Sequence, residues 1–380
     1  MELIKRNKCA ISGSYDLEQL FTFKNYPLYM GCTNKSISND IFVDMEWVIS
    51  KSTGCIQLKK LIPLEILYQE NHNSPIGKVW QNHHKQFADF IKKYNPKKGI
   101  LEIGGAHGYL CKIFQESLNI DWTIIEPNPI PIEGCKAKYI KSIFKKDLLK
   151  DLQFDFIVHS HVFEHIYNPC QFLKETSDSI NNDQLIIFSL PNMHSMLQKN
   201  YTNCINFEHT VFLSEEYIEY LLHKNDLSII EKDYYLKDHS IFYAVKKEKI
   251  TSCDKLKNNL YNKNKELFVN YVNYYKDLIE IINKKIAKLE EDKEIYLFGG
   301  HIFSQHILAN GLNCSKIKGI LDNDIKKQGN RLYGSSFKIY SPKILKEIKE
   351  PYVIIKAGVY TKEIKEDIIQ NINSSTIFIE

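Results

Sequence analysis

Leu101-Glu102-Ile103-Gly104-Gly105-Ala106-His107-Gly108 decides how this chain of 380 residues is read. It closes the apolar run Lys98-Gly99-Ile100-Leu101-Glu102-Ile103, a short buried strand, and leads into a helical pattern. Glycines in a strand-to-helix turn let the backbone pass close to a ligand with no Cβ in the way, and Glu102 offers an acceptor to an ammonium group. A dinucleotide fold would place pyrophosphate on the helix N-terminus through G-x-G-x-x-G, whereas the spacing here is E-x-G-x-x-x-G.

Outward from this turn, strands and helices alternate as far as Lys247. The pattern predicts strands at 99–103, 122–126, 154–159, 184–190, 227–233 and 239–245, with helices near 107–118, 169–180 and 214–224. Alternation of this kind implies an α/β domain built on a parallel sheet. Before it, residues 1–85 are turn-rich, with short apolar runs at Ile41-Phe42-Val43 and Cys55-Ile56-Gln57-Leu58 that suggest small strands. After it, a Lys/Asn-rich stretch leads into a long amphipathic helix, roughly 266–291, in which Leu267, Tyr271, Tyr274, Leu278, Ile282, Ile286 and Leu289 recur at helical spacing. A second alternating unit follows, with strands near 294–298, 317–321 and 352–356 and a helix from about Phe303. The expected division is therefore 1–85, 86–247 and 248–380.

Composition excludes several classes. At 43% hydrophobic and 25% charged residues the chain is an ordinary globular protein, and no stretch reaches the ~20 apolar residues of a membrane span. A net charge of +4 is spread without a dense basic run, so nucleic acid is not an expected partner. The first residues carry no apolar segment before a cleavage site, and nine scattered cysteines form no C-x-x-C pair. A cytoplasmic protein with reduced thiols is the expectation.

Two further segments follow the glycine turn in order. Trp122-Thr123-Ile124-Ile125-Glu126-Pro127 ends a strand in a carboxylate, suited to two ribose hydroxyls. Phe154-Asp155-Phe156-Ile157-Val158-His159-Ser160-His161-Val162-Phe163-Glu164-His165-Ile166-Tyr167-Asn168-Pro169 comes next. Together they resemble class I S-adenosylmethionine-dependent methyltransferases: the turn is similar to E/D-x-G-x-G-x-G with Ala106 at the middle glycine, and the third segment to D-x-I-x-x-x-x-V-x-E-H-I-x-x-P. The resemblance implies a Rossmann-like domain whose cofactor is S-adenosylmethionine. It implies cofactor contacts from Glu102, Gly104, Gly105, Ala106 and Gly108, from Glu126 and Pro127 at the ribose, and from Ser142, Ile143, Ser160, His161 and His165 around the remainder.

The acceptor side is read from Asn203-Cys204-Ile205-Asn206-Phe207-Glu208-His209-Thr210-Val211-Phe212-Leu213-Ser214, a loop before a helix that Ser214 can cap. It belongs at the carboxyl edge of the sheet, where ligands of open α/β sheets bind. His209 is the expected base, its unperturbed pKa of about 6.5 suiting proton abstraction, with Glu208 orienting it. A helix-leading loop with surface charges is the plainer alternative.

The flanks narrow the resemblance to the three-domain sugar C-methyltransferases, which begin with a small zinc domain of two C-x-x-C-G knuckles. The matching stretches are Cys9-Ala10-Ile11-Ser12-Gly13 and Ser50-Lys51-Ser52-Thr53-Gly54-Cys55-Ile56-Gln57-Leu58, with three of the four thiolates missing, so no zinc or other metal is expected. Ile295-Tyr296-Leu297-Phe298-Gly299-Gly300, the Asp322 to Gly329 segment and Ser341-Pro342 are similar to the family's Rossmann-like C-terminal domain, where the two glycines either take a phosphate or merely turn the chain. The family's tyrosine before the Glu-His pair is replaced by Asn206, and of the tyrosines that close the N-terminal domain only Tyr68 remains, in Tyr68-Gln69-Glu70-Asn71-His72-Asn73. The resemblance implies methylation of a carbon or oxygen of a sugar or sugar nucleotide, in deoxysugar or surface-polysaccharide synthesis, with Tyr68, Asn206, Glu208 and His209 on the acceptor side. Another phosphorylated small metabolite as acceptor, and a cofactor-binding protein without turnover, stay open, as does the oligomeric state.

Overall fold

The computed structural model describes residues 1–68, 77–251 and 256–380 and divides into two compact units. The first comprises Met1–Gln19, Val48–Met196 and Glu208–Lys265, and the second Leu20–Trp47, Leu197–Phe207 and Glu266–Glu380, so the N-terminal segment contributes to both.

The first unit is built on seven strands: β1 (Ile100–Ile103), β2 (Trp122–Glu126), β3 (Lys138–Lys141), β4 (Phe156–Ser160), β5 (Leu185–Pro191), β6 (Leu227–Tyr235) and β7 (Ser240–Lys247), in the order β6-β7-β5-β4-β1-β2-β3. The first five are parallel, and β7 runs antiparallel between β5 and β6. This is the α/β sheet that the alternation predicts. Because parallel strands are covered on both faces, β1, β4 and β5 read as continuous apolar runs. On one face lie helices α1 (Lys78–Lys92) and α2 (Tyr109–Gln115), contributing Phe87, Ile91, Leu110 and Phe114 to a buried cluster. On the other lie α3 (Pro169–Ser177) and α4 (Glu215–Lys224), contributing Phe172, Leu173, Ile218 and Leu221. Asn168 caps α3 by accepting the Gln171 N–H at 3.1 Å, and Pro169 opens it where no donor is needed. Strand order reverses between β1 and β4, which opens a crevice beyond their carboxyl ends.

β3 escaped the sequence pattern because only Tyr139 and Ile140 in Lys-Tyr-Ile-Lys are apolar, too few to show a period.

The N-terminal stretches where the zinc family carries ligands hold together differently. Cys9 Sγ lies 3.2 Å from Thr53 Oγ1, while Asp16 accepts from Ser14 Oγ at 2.6 Å, Ser50 Oγ at 2.9 Å and the Ser52 N–H at 2.6 Å. Two thiols, Cys9 and Cys55, paired with each other among hydroxyls fall short of the four soft or imidazole ligands of structural zinc.

In the second unit, β8 (Ile295–Phe298), β9 (Ile317–Leu321), β10 (Ile339–Tyr340), β11 (Tyr352–Ile354) and β12 (Ile377–Ile379) form a parallel sheet in the order β10-β9-β8-β11-β12. Helix α5 (Leu260–Lys288) starts in the first unit and continues through the second, burying Phe268, Tyr271, Tyr275, Ile279, Ile282 and Ile286 along one stripe. Among the described residues no helix is long and apolar enough to cross a membrane.

Candidate active site

The turn after β1 is shaped by three residues in left-handed conformation: Gly104 at φ 70°, Ala106 at 44° and Gly108 at 79°. A Cβ on Gly104 would come within 2.5 Å of the Val162 side chain, so a glycine lets the loops after β1 and β4 approach each other. Glu102 is 3% exposed, lies beneath Gly105 and accepts the Trp122 indole N–H at 2.8 Å. Burial pushes its carboxyl up to about 7 against that hydrogen bond, with the negative Glu126 adding to the rise. The residue expected to meet an ammonium thus props the turn from below.

Glu126, at the end of β2, accepts the Ala106 N–H at 3.0 Å and the Asn128 N–H at 3.1 Å, facing the glycine turn across the crevice. Pro127 follows it, half-buried. The Ser142 N–H reaches the Glu126 carbonyl at 3.2 Å, and Ile143 beside it is exposed, an apolar side chain just beyond β3. Ser160 ends β4 in register with Ser189 of β5.

Beyond β4 the chain bends sharply, with His161 at φ 54°. Its Nδ1 is 3.4 Å from Glu164 Oε1 and its Nε2 2.8 Å from Ser240 Oγ. His165 lies between two carboxylates, Nε2 at 3.7 Å from Glu164 and Nδ1 at 3.5 Å from Glu208. The Thr210 N–H donates to the Glu164 carbonyl at 3.2 Å, which ties the two Glu-His pairs together, and Arg6 donates to the Thr210 and Tyr167 carbonyls at 2.9 and 2.7 Å. Glu164 has no solvent exposure; burial pushes its carboxyl up, but the close approach of His161 and the fields of His165, His161 and His209 outweigh it, leaving the group at about 2. Burial, reinforced by His165, lowers His209 to about 4 against the pull of Glu164 and Glu208. Tyr68 is held protonated by burial and by the negative Glu208, and its carbonyl accepts from the Asn128 side chain.

Glu164, His165 and His209 each place one ligand atom within 4.8 Å of the others. Asn206 belongs to the second unit, where it is buried and donates to the Asn203 carbonyl at 2.9 Å. Residues 69–73, named with Tyr68 in the sequence, lie outside the described residues. Glu164 has no role in the sequence reading, although it stands in the quoted E-H-I segment, nor do Arg6, Trp80 and His239; His83 figures there only as a zinc ligand that no spacing supports, since its meeting with His161 and His239 is tertiary.

Residues 79–232 match the family model described as a methyltransferase domain. No curated protein matches the sequence. Similar solved structures include an S-adenosylmethionine-dependent methyltransferase from Clostridium acetobutylicum ATCC 824, at 15% identity over 43% of this chain and 92% of that one, TM-score 0.34. The N-methyltransferase NodS from Bradyrhizobium japonicum WM9 is similar at 13% identity over 46% and 98%, TM-score 0.34. Magnesium protoporphyrin IX methyltransferase from Synechocystis PCC 6803, with bound S-adenosylmethionine, is similar at 13% identity over 48% and 88%, TM-score 0.34. The chain therefore carries a methyltransferase domain over residues 79–232, the stretch that holds the glycine turn and strands β1 to β5.

Proposed function

We propose that the acceptor is a hydroxyl of a sugar or nucleotide-linked sugar, methylated at the paired Glu164-His165 and Glu208-His209 motifs, with His209 as base. The turn Gly104–Gly108 would hold S-adenosylmethionine, with Glu126 serving its ribose and Ile143 its adenine. Contacts from Ser142, Ser160 and the backbone near Pro127 complete the cleft. The sugar rests on the resemblance of all three sequence regions to sugar methyltransferases.

The observation that carries the chemistry is the placing of His209, its ring 5.1 Å from that of His165, which itself stands between Glu164 and Glu208. At about 4 the His209 imidazole is uncharged near neutrality, yet too weak a base to ionise a resting alcohol or a carbon acid. An oxygen that is gaining a methyl group is a far stronger acid than either. Attack of the hydroxyl oxygen on the sulfonium methyl breaks the C–S bond, forms the C–O bond and releases S-adenosylhomocysteine. The oxygen's proton passes to His209. This sequence favours oxygen over carbon, and alignment with exclusion of water supplies most of the rate. Glu208 and Glu164 hold His165 between them and stabilise the positive charge that arrives, while burial and the negative Glu208 keep the Tyr68 hydroxyl protonated.

The test is His209→Ala assayed with labelled cofactor against a panel of nucleotide sugars, free sugars and simple sugar phosphates. Turnover should fall by roughly 10²–10⁴ while cofactor affinity by calorimetry stays within a factor of about two. Unchanged turnover removes the base role, and transfer to none of the sugars removes the acceptor class.

A further inference from the structure

Three histidines from distant parts of the sequence converge at the carboxyl edge of the first unit's sheet: His83 from α1, His161 after β4 and His239 just before β7. One nitrogen from each lies within 4.8 Å of the other two. Trp80 covers the group, its ring centroid 4.8 Å from His161, 4.9 Å from His239 and 5.3 Å from His83. His83 is wholly buried; Nε2 meets Ser189 Oγ at 3.0 Å, and Nδ1 has no hydrogen-bond partner among the described residues. His161 Nε2 and His239 Nδ1 both meet Ser240 Oγ, at 2.8 and 2.6 Å. A hydroxyl has one proton, so it satisfies only one of two lone-pair nitrogens.

Behind His161, on its other nitrogen, stands Glu164. That carboxylate is fully buried, and neither oxygen has a hydrogen bond within normal geometry among the described residues. An anion so placed needs a positive neighbour. A carboxylate on one nitrogen of an imidazole whose other nitrogen faces further imidazoles is the arrangement that fixes the tautomer of a metal-ligating histidine.

We infer that His83, His161 and His239 bind a transition-metal dication of the zinc class, with Glu164 orienting His161 from behind. Three imidazoles suit zinc, cobalt or nickel and leave a fourth position open. Tetrahedral zinc at about 2.0–2.1 Å from nitrogen requires the three rings to draw closer by small side-chain rotations. The metal would join α1, the loop after β4 and the start of β7 at one point, stiffening the edge where substrates bind. The expectation of no metal rests on the missing thiolates of the N-terminal stretches and does not bear on these three histidines, which share no local spacing with one another.

The test uses the full chain and reads metal, not methyl transfer, so it stands or falls apart from the acceptor proposal. Wild-type protein loaded with Zn²⁺ and then dialysed should retain about one ion per chain by mass spectrometry, and Co²⁺ loading should give the intense visible bands of a low-coordinate nitrogen site. His83→Gln and His239→Gln should each lose the ion, and Glu164→Gln should weaken binding by roughly 10–100-fold. His165→Gln should keep it. Folded wild-type protein that retains no zinc and gives no cobalt bands overturns the inference. So does an ion that survives His239→Gln but is lost in His165→Gln, which would assign it to the Glu164, His165 and His209 group instead.

Discussion

The Glu126 carboxylate accepts the backbone N–H of Ala106 at 3.0 Å, so the acid at the end of β2 is fastened to the turn after β1 before any ligand arrives. The turn after β1 and the end of β2 are thereby held together, which would lower the ordering cost of the proposed cofactor binding. Glu126→Gln presents amide hydrogens where two backbone donors point, disturbing the turn and the proposed ribose contact together. Cofactor affinity should drop at least about tenfold, or ~1.4 kcal/mol, by calorimetry on protein with an unchanged circular dichroism spectrum. An unchanged dissociation constant would place the ribose elsewhere.

Ala106 adopts φ 44°, a left-handed conformation that costs an L-residue roughly 1–2 kcal/mol. Ala106→Gly removes that strain but frees the unfolded chain, so the net gain is expected to be below about 1 kcal/mol, read as a small rise in Tm. Gly108→Ala should behave in the opposite way. Its Cβ would come within 2.4 Å of Cys135 Sγ and 2.5 Å of Tyr139 Oη at φ 79°, and a loss on the order of 2–3 kcal/mol is expected by urea denaturation. Equal effects of the two changes would contradict the conformational reading.

What the sequence revealed and what it hid divide along physical lines. β1, β2, β4 and β5 were legible because buried parallel strands are apolar runs, and the glycine turn was legible because backbone geometry restricts which residues fit it. Glu126 could be placed from its position at a strand end. The contacts of Glu102 could not, since only the fold sets Trp122 beside it on the neighbouring strand. The stripe of α5 was found one residue out of phase in places: Phe268, Tyr275 and Ile279 are buried where Leu267, Tyr274 and Leu278 were expected, because adjacent apolar residues leave the face ambiguous. His83, His161 and His239 share no local pattern at all, and their meeting exists only in three dimensions.

In the second unit Asp40 receives both Nη1 and Nη2 of Arg331 at 2.7 Å and the Gly334 N–H at 2.8 Å, with the carboxylate side chain only 1% exposed. Removing one member of so enclosed a pair leaves the other charge without compensation. Asp40→Ala should cost about 3–5 kcal/mol, whereas the exposed pair of Lys24 and Asp44 should be worth less than about 1 kcal/mol on Asp44→Ala. Denaturation of both variants tests the contrast, and a comparable loss for the two would mean that burial is not what gives the Asp40 pair its weight.

His306 in α6 (Ile302–Ala309) supplies the pH dependence easiest to isolate. Its ring is wholly buried against Tyr26, Tyr271 and Tyr275, with Nδ1 3.1 Å from the Tyr26 hydroxyl, and burial lowers it to about 3 from an unfolded value near 6.5. Below pH 6.5 the unfolded chain therefore binds a proton that the folded chain refuses. The stabilisation is complete above about 6.5 and is lost progressively as the pH falls toward 3, where the folded ring also titrates. His306→Gln removes that proton from the balance. Thermal melts between pH 7 and 4 should then show a shallower fall in stability with acid than wild type, by up to one bound proton in the slope, and parallel curves for the two proteins would show that this ring is not what makes the fold acid-sensitive.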